Sequence, residues 1–121
     1  ASQVIRIFKG RSDVEIEWLV GPLPKDDGFG REIISRFTSD IQSSGEFTTG
    51  TNGREEGILR RRDHREDYEL EENYEPVSQN YYPVTSSASI EDEERRLTVL
   101  VDRAQGASSL ADGELEFMLH R

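Results

Sequence analysis

Cysteine is absent from this 121-residue chain. That excludes disulfides, thiolate metal sites and a cysteine nucleophile within it. No stretch of about 18 apolar residues occurs, so nothing here reads as a bilayer-spanning helix, and no stretch reads as the apolar core of a signal peptide. Apolar residues are scarce overall, at 33% against the roughly 45–50% of average globular chains, and mean hydropathy is −0.75. A domain of this length buries about two-thirds of its unfolded surface, so a composition this lean predicts marginal stability or apolar surface borrowed from outside. Positive charge is also short: 15 Lys and Arg stand against 25 Asp and Glu, a net charge of −10. Duplex nucleic acid and anionic membranes both need a basic face to displace counterions, so neither is an expected partner. The length is that of one ordinary domain, 1–121, which argues against a two-domain enzyme.

What is present is period-two alternation. Val14, Ile16, Trp18 and Val20 alternate with Glu15, Glu17 and Leu19, the pattern of a strand with one buried and one wet face. Upstream, Val4 to Phe8 is rich in β-formers, and Gly10-Arg11-Ser12-Asp13 supplies a turn, so the two runs predict a β-hairpin. Gly21-Pro22-Leu23-Pro24 ends the second strand, because proline removes ladder donors. Near the far end, Leu97, Val99 and Val101 share one face opposite Thr98 and Leu100, while Leu115, Phe117 and Leu119 oppose Glu114, Glu116, Met118 and His120. Gly106 and Asp112-Gly113 suit turns between these strands. Glu32 to Phe37 and Tyr81 to Ile90 are further strands, and only Ile58 to Arg65 could carry a helical turn. The expected class is all-β, an antiparallel sandwich of about seven strands. From Arg54 to Glu75 the chain is dense in charge and poor in β-branched residues. It reads as a long excursion, either packed against another body or a mobile surface loop. Strand patterns run up to both ends of the chain, as in a piece cut from a larger sheet system or a domain trimmed tightly to its strands.

The chemistry-bearing residues are sparse. Only His64 and His120 could supply imidazole, and neither has the spacing of a zinc site; Asp63-His64 and Asp67 are a weak cluster at best. Glu91-Asp92-Glu93-Glu94 followed by Arg95-Arg96 reads as a solvated turn without an EF-hand glycine. Arg60-Arg61-Arg62-Asp63-His64-Arg65 is flanked by Glu55, Glu56, Glu66 and Asp67, which favours an ion-pair network over a ligand site. Thr51-Asn52-Gly53-Arg54 reads as a turn. Tyr81 and Tyr82 either stack on a sugar or base or enter the core, and neighbouring strand positions place at least one in the core. With Tyr81, Tyr82 and the arginine island, an autonomous carbohydrate- or protein-binding module is one reading of the chain. A structural domain without a ligand is another.

Several runs in order carry a resemblance: Val20 to Pro24, Gly30 to Phe37, Thr51 to Arg54, Arg61 to Arg65, Asn80 to Val84, Leu97 to Leu110 with Val101-Asp102-Arg103-Ala104-Gln105-Gly106, and Asp112 to Arg121. Together they resemble the C-terminal β region of the lysosomal-type α-mannosidases, glycoside hydrolase family 38. The resemblance implies a segment of a larger β supersandwich belonging to a zinc-dependent, retaining enzyme that trims α-linked mannose from glycoprotein glycans. It places the zinc, the nucleophile and the acid/base in an N-terminal catalytic domain, absent here. This chain alone would then be inactive, with no catalytic or metal-binding residue of its own. Its partners would be the remaining segments of the parent enzyme and mannose-containing glycans. Its setting would be lysosomal, vacuolar or secreted, and a pI near 4.6 suits an acidic compartment, where self-repulsion falls. The family's His/Asp-Arg-Arg motif, matched as far as His120-Arg121, approaches the mannose pocket. Arg121 is therefore the one candidate for substrate binding, the alternative being an arginine that ties two domains together. The sequence departs from the family pattern at Thr48 to Gly50, at His64 and at Gln79.

Overall fold

The computed structural model describes residues 1–51, 55–60 and 75–121. Ten strands occupy most of them: β1 Ser2–Ile7, β2 Val14–Leu19, β3 Ile33–Thr38, β4 Glu46–Thr51, β5 Glu55–Arg60, β6 Tyr82–Val84, β7 Ser87–Glu91, β8 Arg96–Leu100, β9 Gln105–Ser108 and β10 Glu114–His120. A 3-10 turn, Ser78–Asn80, precedes β6. The alternation at each end folds as expected. β1 and β2 pair antiparallel as a separate two-stranded ribbon, and the remaining strands form two four-stranded sheets ordered β3-β10-β9-β6 and β5-β4-β7-β8. Every pairing is antiparallel.

The two larger sheets face each other across one core. Val84, Ala107, Leu115 and Phe117 come from the first sheet, Phe47, Ala88 and Ile90 from the second, and Ile41 from the connection between β3 and β4. Tyr82 enters this core and meets Phe47 edge-on, with ring centres 5.6 Å apart. Phe37 and Phe117 meet similarly at 6.1 Å. Such edge-to-face contacts set the positive rim of one ring against the negative face of the other.

Four local expectations change. The strands are more numerous because β4 and β9 carry little β-signal: β9 reads Gln-Gly-Ala-Ser and is held by its neighbours β10 and β6. Gly106 is accordingly a strand residue and not a turn. An added Cβ there would lie 3.1 Å from the Tyr81 ring, so the missing side chain makes room for the tyrosine to lie across the strand. Glu55–Arg60, in the first part of the charged excursion, pairs with β4, so Ile58 starts no helical turn; residues 61–74 lie outside the described residues. Finally, the hairpin's apolar face stays uncovered among the described residues, with Ile5 58%, Ile7 77% and Val14 54% exposed. Its alternation prepares a buried face, of which Ile16 is partly buried and the rest is exposed.

Gly113 does make the expected turn. It sits at φ +75°, and its carbonyl accepts hydrogen bonds from the backbone N–H of Ser39 at 2.8 Å and from Ser39 Oγ at 3.1 Å. The charge run after β7 is a self-satisfied turn. Asp92 Oδ1 accepts from the N–H groups of Glu94 and Arg95, and Asp92 Oδ2 accepts from Gln42 N–H at 3.2 Å. Those backbone donors hold the Asp92 carboxyl below its ordinary range. Arg95 reaches Asp40 at 2.5 Å, and Arg96 reaches Glu91 at 3.2 Å.

Candidate functional site

The segment between β2 and β3 meets the end of β10. Directly after β2, Val20 and Gly21 lead through Pro22 and Pro24 into a loop organised by one guanidinium. Arg31 Nη1 donates to the carbonyls of Pro24 at 3.2 Å and Phe29 at 3.3 Å and to Asp27 Oδ1 at 2.8 Å, while Nη2 pairs with Asp27 Oδ2. Asp27 Oδ1 also accepts from Phe29 N–H at 3.2 Å. The Arg31 guanidinium, with that backbone donor, holds the Asp27 carboxyl below its ordinary range. A planar fork satisfying two carbonyls and a carboxylate fixes loop shape from one side chain. What the loop then displays is Phe29, 74% exposed.

On the other side, β10 pairs with β3 through Met118 opposite Ile34, then shifts register so that His120 lies opposite Ile33. Between them lies an open depression of about 470 Å³, lined among others by Val20, Leu23, Lys25, Phe29, Arg31 and His120. A second, of about 550 Å³, is lined by Gly30, Arg31, Glu32 and Arg121. Arg31 borders both. Arg121, on the second, has its side chain 79% exposed and its Nε 3.4 Å from Glu32 Oε1. A pair this exposed adds little to stability.

The chemistry on offer suits a polyhydroxylated ring. Guanidinium forks donate to hydroxyls, Glu32 accepts from them, and the Phe29 face can take the C–H side of a ring. The sequence motif points to Arg121 alone. Nothing in the spacing of Phe29, Glu32 and the Asp27–Arg31 pair shows that their segment meets the end of β10. Among the described residues no group of three or more His, Asp or Glu is placed to hold a metal ion. His120 is exposed at the groove edge. His64, with Asp63, Asp67 and Arg61 to Arg65, lies outside the described residues, as do Asn52 to Arg54.

The remaining candidates are absorbed by packing. Glu116 points to the outer side of its sheet yet is only 3% exposed. Its Oε2 accepts from Arg36 Nε at 2.8 Å and Nη2 at 2.6 Å, and Tyr81 Oη donates to its Oε1. Burial, and next the neighbouring Glu116 carboxylate, push the Tyr81 phenol well above its ordinary range. Tyr82 packs on Phe47, and Asn80 Nδ2 donates to the Pro76 carbonyl at 2.9 Å. Thr48 to Gly50, where the sequence departs from the family pattern, lie inside β4. No helix among the described residues is long and apolar enough to cross a membrane.

Comparison with known proteins agrees with these motifs. The glycosyl hydrolases family 38 C-terminal domain matches residues 1–121. The chain is 52% identical over 121 residues to lysosomal alpha-mannosidase of Mus musculus and 51% identical over 121 residues to that of Homo sapiens. It is 48% identical over 120 residues to an alpha-mannosidase of Canavalia ensiformis. In each case 99% of this chain aligns with 12% of the other protein, so it spans about an eighth of the length of these relatives. An all-β, antiparallel chain that matches from its first residue to its last belongs to the glycosyl hydrolases family 38 C-terminal domains.

Proposed function

We propose that this chain is a non-catalytic β segment of an α-mannosidase and that the groove at Arg121 forms part of the wall of its mannose pocket. The observation that carries the reading is that two open depressions meet at Arg31 beside the end of β10, one lined by Phe29 and His120, the other by Glu32 and Arg121. In this reading the substrate is α-linked mannose of glycoprotein glycans, and cleavage retains anomeric configuration. A zinc ion, with the carboxylates that break the bond, belongs to the rest of the polypeptide, where it would stabilise charge developing on the sugar. The residues described here hold, orient and exclude water around a ring that other residues cleave. In this reading the parent enzyme works in a lysosome, the compartment in the names of the animal relatives, or in a vacuole or after secretion.

Arg121 donates to sugar hydroxyls, with Glu32 limiting its swing. In the full-length enzyme, Arg121→Ala should lower kcat/KM for an aryl α-mannoside about 10- to 100-fold, the loss expected for hydrogen bonds from a charged group. Glu32→Gln should have a much smaller effect. Equal, small effects of both substitutions would reduce Arg121 to a surface tie. The 121-residue chain alone, given zinc, should not hydrolyse the same substrate. The alternative of an autonomous binding module loses its aromatic platform, since Tyr82 packs in the core and Tyr81 is tied to Glu116.

A further inference from the structure

The β1–β2 ribbon has two faces of opposite character. Directly opposed residues in an antiparallel pair point to the same side. The pairs Gln3 with Trp18, Ile5 with Ile16 and Ile7 with Val14 therefore put five apolar side chains on one face. The pairs Ser2 with Leu19, Val4 with Glu17 and Arg6 with Glu15 form the other, where three charged side chains stand beside Val4 and Leu19. There Arg6 Nη1 lies 2.7 Å from both Glu15 Oε1 and Glu17 Oε2, an arrangement suited to water. The apolar face is open: Ile7 is 77% exposed, Ile5 58%, Val14 54% and Trp18 37%. Among the described residues the ribbon hydrogen-bonds to neither four-stranded sheet. Two strands alone are marginal in water, and a contiguous apolar patch with a charged reverse side marks a surface meant to be covered.

We infer that this face is an interface, covered by an apolar surface elsewhere in the longer α-mannosidase polypeptide. The inference rests on the reading that the chain is one segment of such an enzyme. One observation selects this occupant over a second copy of the chain. The relatives carry this segment as 12% of their length, so ample chain exists to supply the cover. The position has a consequence. Val20 and Gly21 follow β2 immediately and line the depression beside His120, so a body clamped on the ribbon also stands next to the Arg121 groove. The ribbon then anchors the groove against whatever holds the sugar from the other side.

The test uses the full-length enzyme. A photoreactive benzophenone side chain in place of Ile7 should, on irradiation, cross-link within one polypeptide to residues outside this segment, as mapped by mass spectrometry. The same group in place of Glu15, on the charged face, should not. A cross-link joining two copies overturns the inference in favour of self-pairing, and absence of any protein cross-link overturns it in favour of a free surface. If the bulky group prevents folding, Ile7→Cys and Glu15→Cys provide a second reading, since the segment has no cysteine of its own. Maleimide labelling at position 7 should then be roughly tenfold slower or more than at position 15, because it waits for local opening. Equal rates overturn the proposal. Loss of activity in Arg121→Ala with a freely labelled position 7 would leave the pocket-wall reading standing and remove only this one.

Discussion

Gly113→Ala isolates what the β10 entry turn contributes. Two effects act at once. The residue sits at φ +75°, where a Cβ crowds the following carbonyl and costs about 1–2 kcal/mol. A Cβ built there would also lie 2.3 Å from the Ser39 carbonyl oxygen and 3.1 Å from that of Ile41. Backbone cannot rotate away as a side-chain tip can, so the 39–41 segment must shift and loosen the Ser39 N–H bond to Gly113. Such overpacking costs typically 1–3 kcal/mol, and restricting the unfolded chain returns about 0.4–1 kcal/mol. The sum is a loss of about 2–4 kcal/mol, or roughly 8–16 °C in thermal midpoint for a unit of this size. Gly28→Ala provides the control, having φ +78° and nothing within 4 Å of a built Cβ; it should lose only about 1 kcal/mol. Gly30→Ala, with no positive φ and open space, should be near neutral. Chemical denaturation of the three variants in parallel measures the differences. If Gly113→Ala falls no further than Gly28→Ala, the backbone clash is absent and the packing argument fails.

Two other outcomes follow from the polar contacts. Arg36→Ala leaves the Glu116 carboxylate, 3% exposed, with only Tyr81 as a described partner. It should cost about 3 kcal/mol in denaturant unfolding, whereas Glu116→Gln, which can still accept from Arg36, should cost about 1 kcal/mol; the reverse order would refute the assignment. Asp27, Asp40 and Asp92 all titrate below their ordinary 3.8 in the folded chain. Their contribution is thus complete above about pH 4.5 and is lost as pH falls through the unfolded and then the folded values. The thermal midpoint should therefore be held by these groups from about pH 7 to about pH 4.5 and fall below that, less steeply in Asp92→Asn. A fall of the same size in wild type and variant would show that Asp92 contributes nothing.

Strand identity was legible wherever alternation was strong. Val14 to Leu19 and Glu114 to His120 read as strands because period two is a local property of the chain, visible without neighbours. β9, with glycine, alanine and serine, was not legible, since its extended form comes from ladders on both sides. The candidate site divides the same way. The motif ending in His120-Arg121 named Arg121, but the facing loop of Phe29 and Arg31 joins it only through the pairing of β3 with β10. The role of Glu116 was equally hidden, because its partner Arg36 is 80 positions away.

By itself, then, the order of residues determined an acidic, cysteine-free, all-β chain, its family, and which side of each strong strand is apolar. These follow from composition and from spacings of a few residues. Only the tertiary structure decided which strands are neighbours, that Glu116 is buried on a nominally wet face, and that the hairpin's apolar side has no cover among the described residues. Burial depends on contacts between distant positions, and a strand's pattern states that a face should be covered without stating by what.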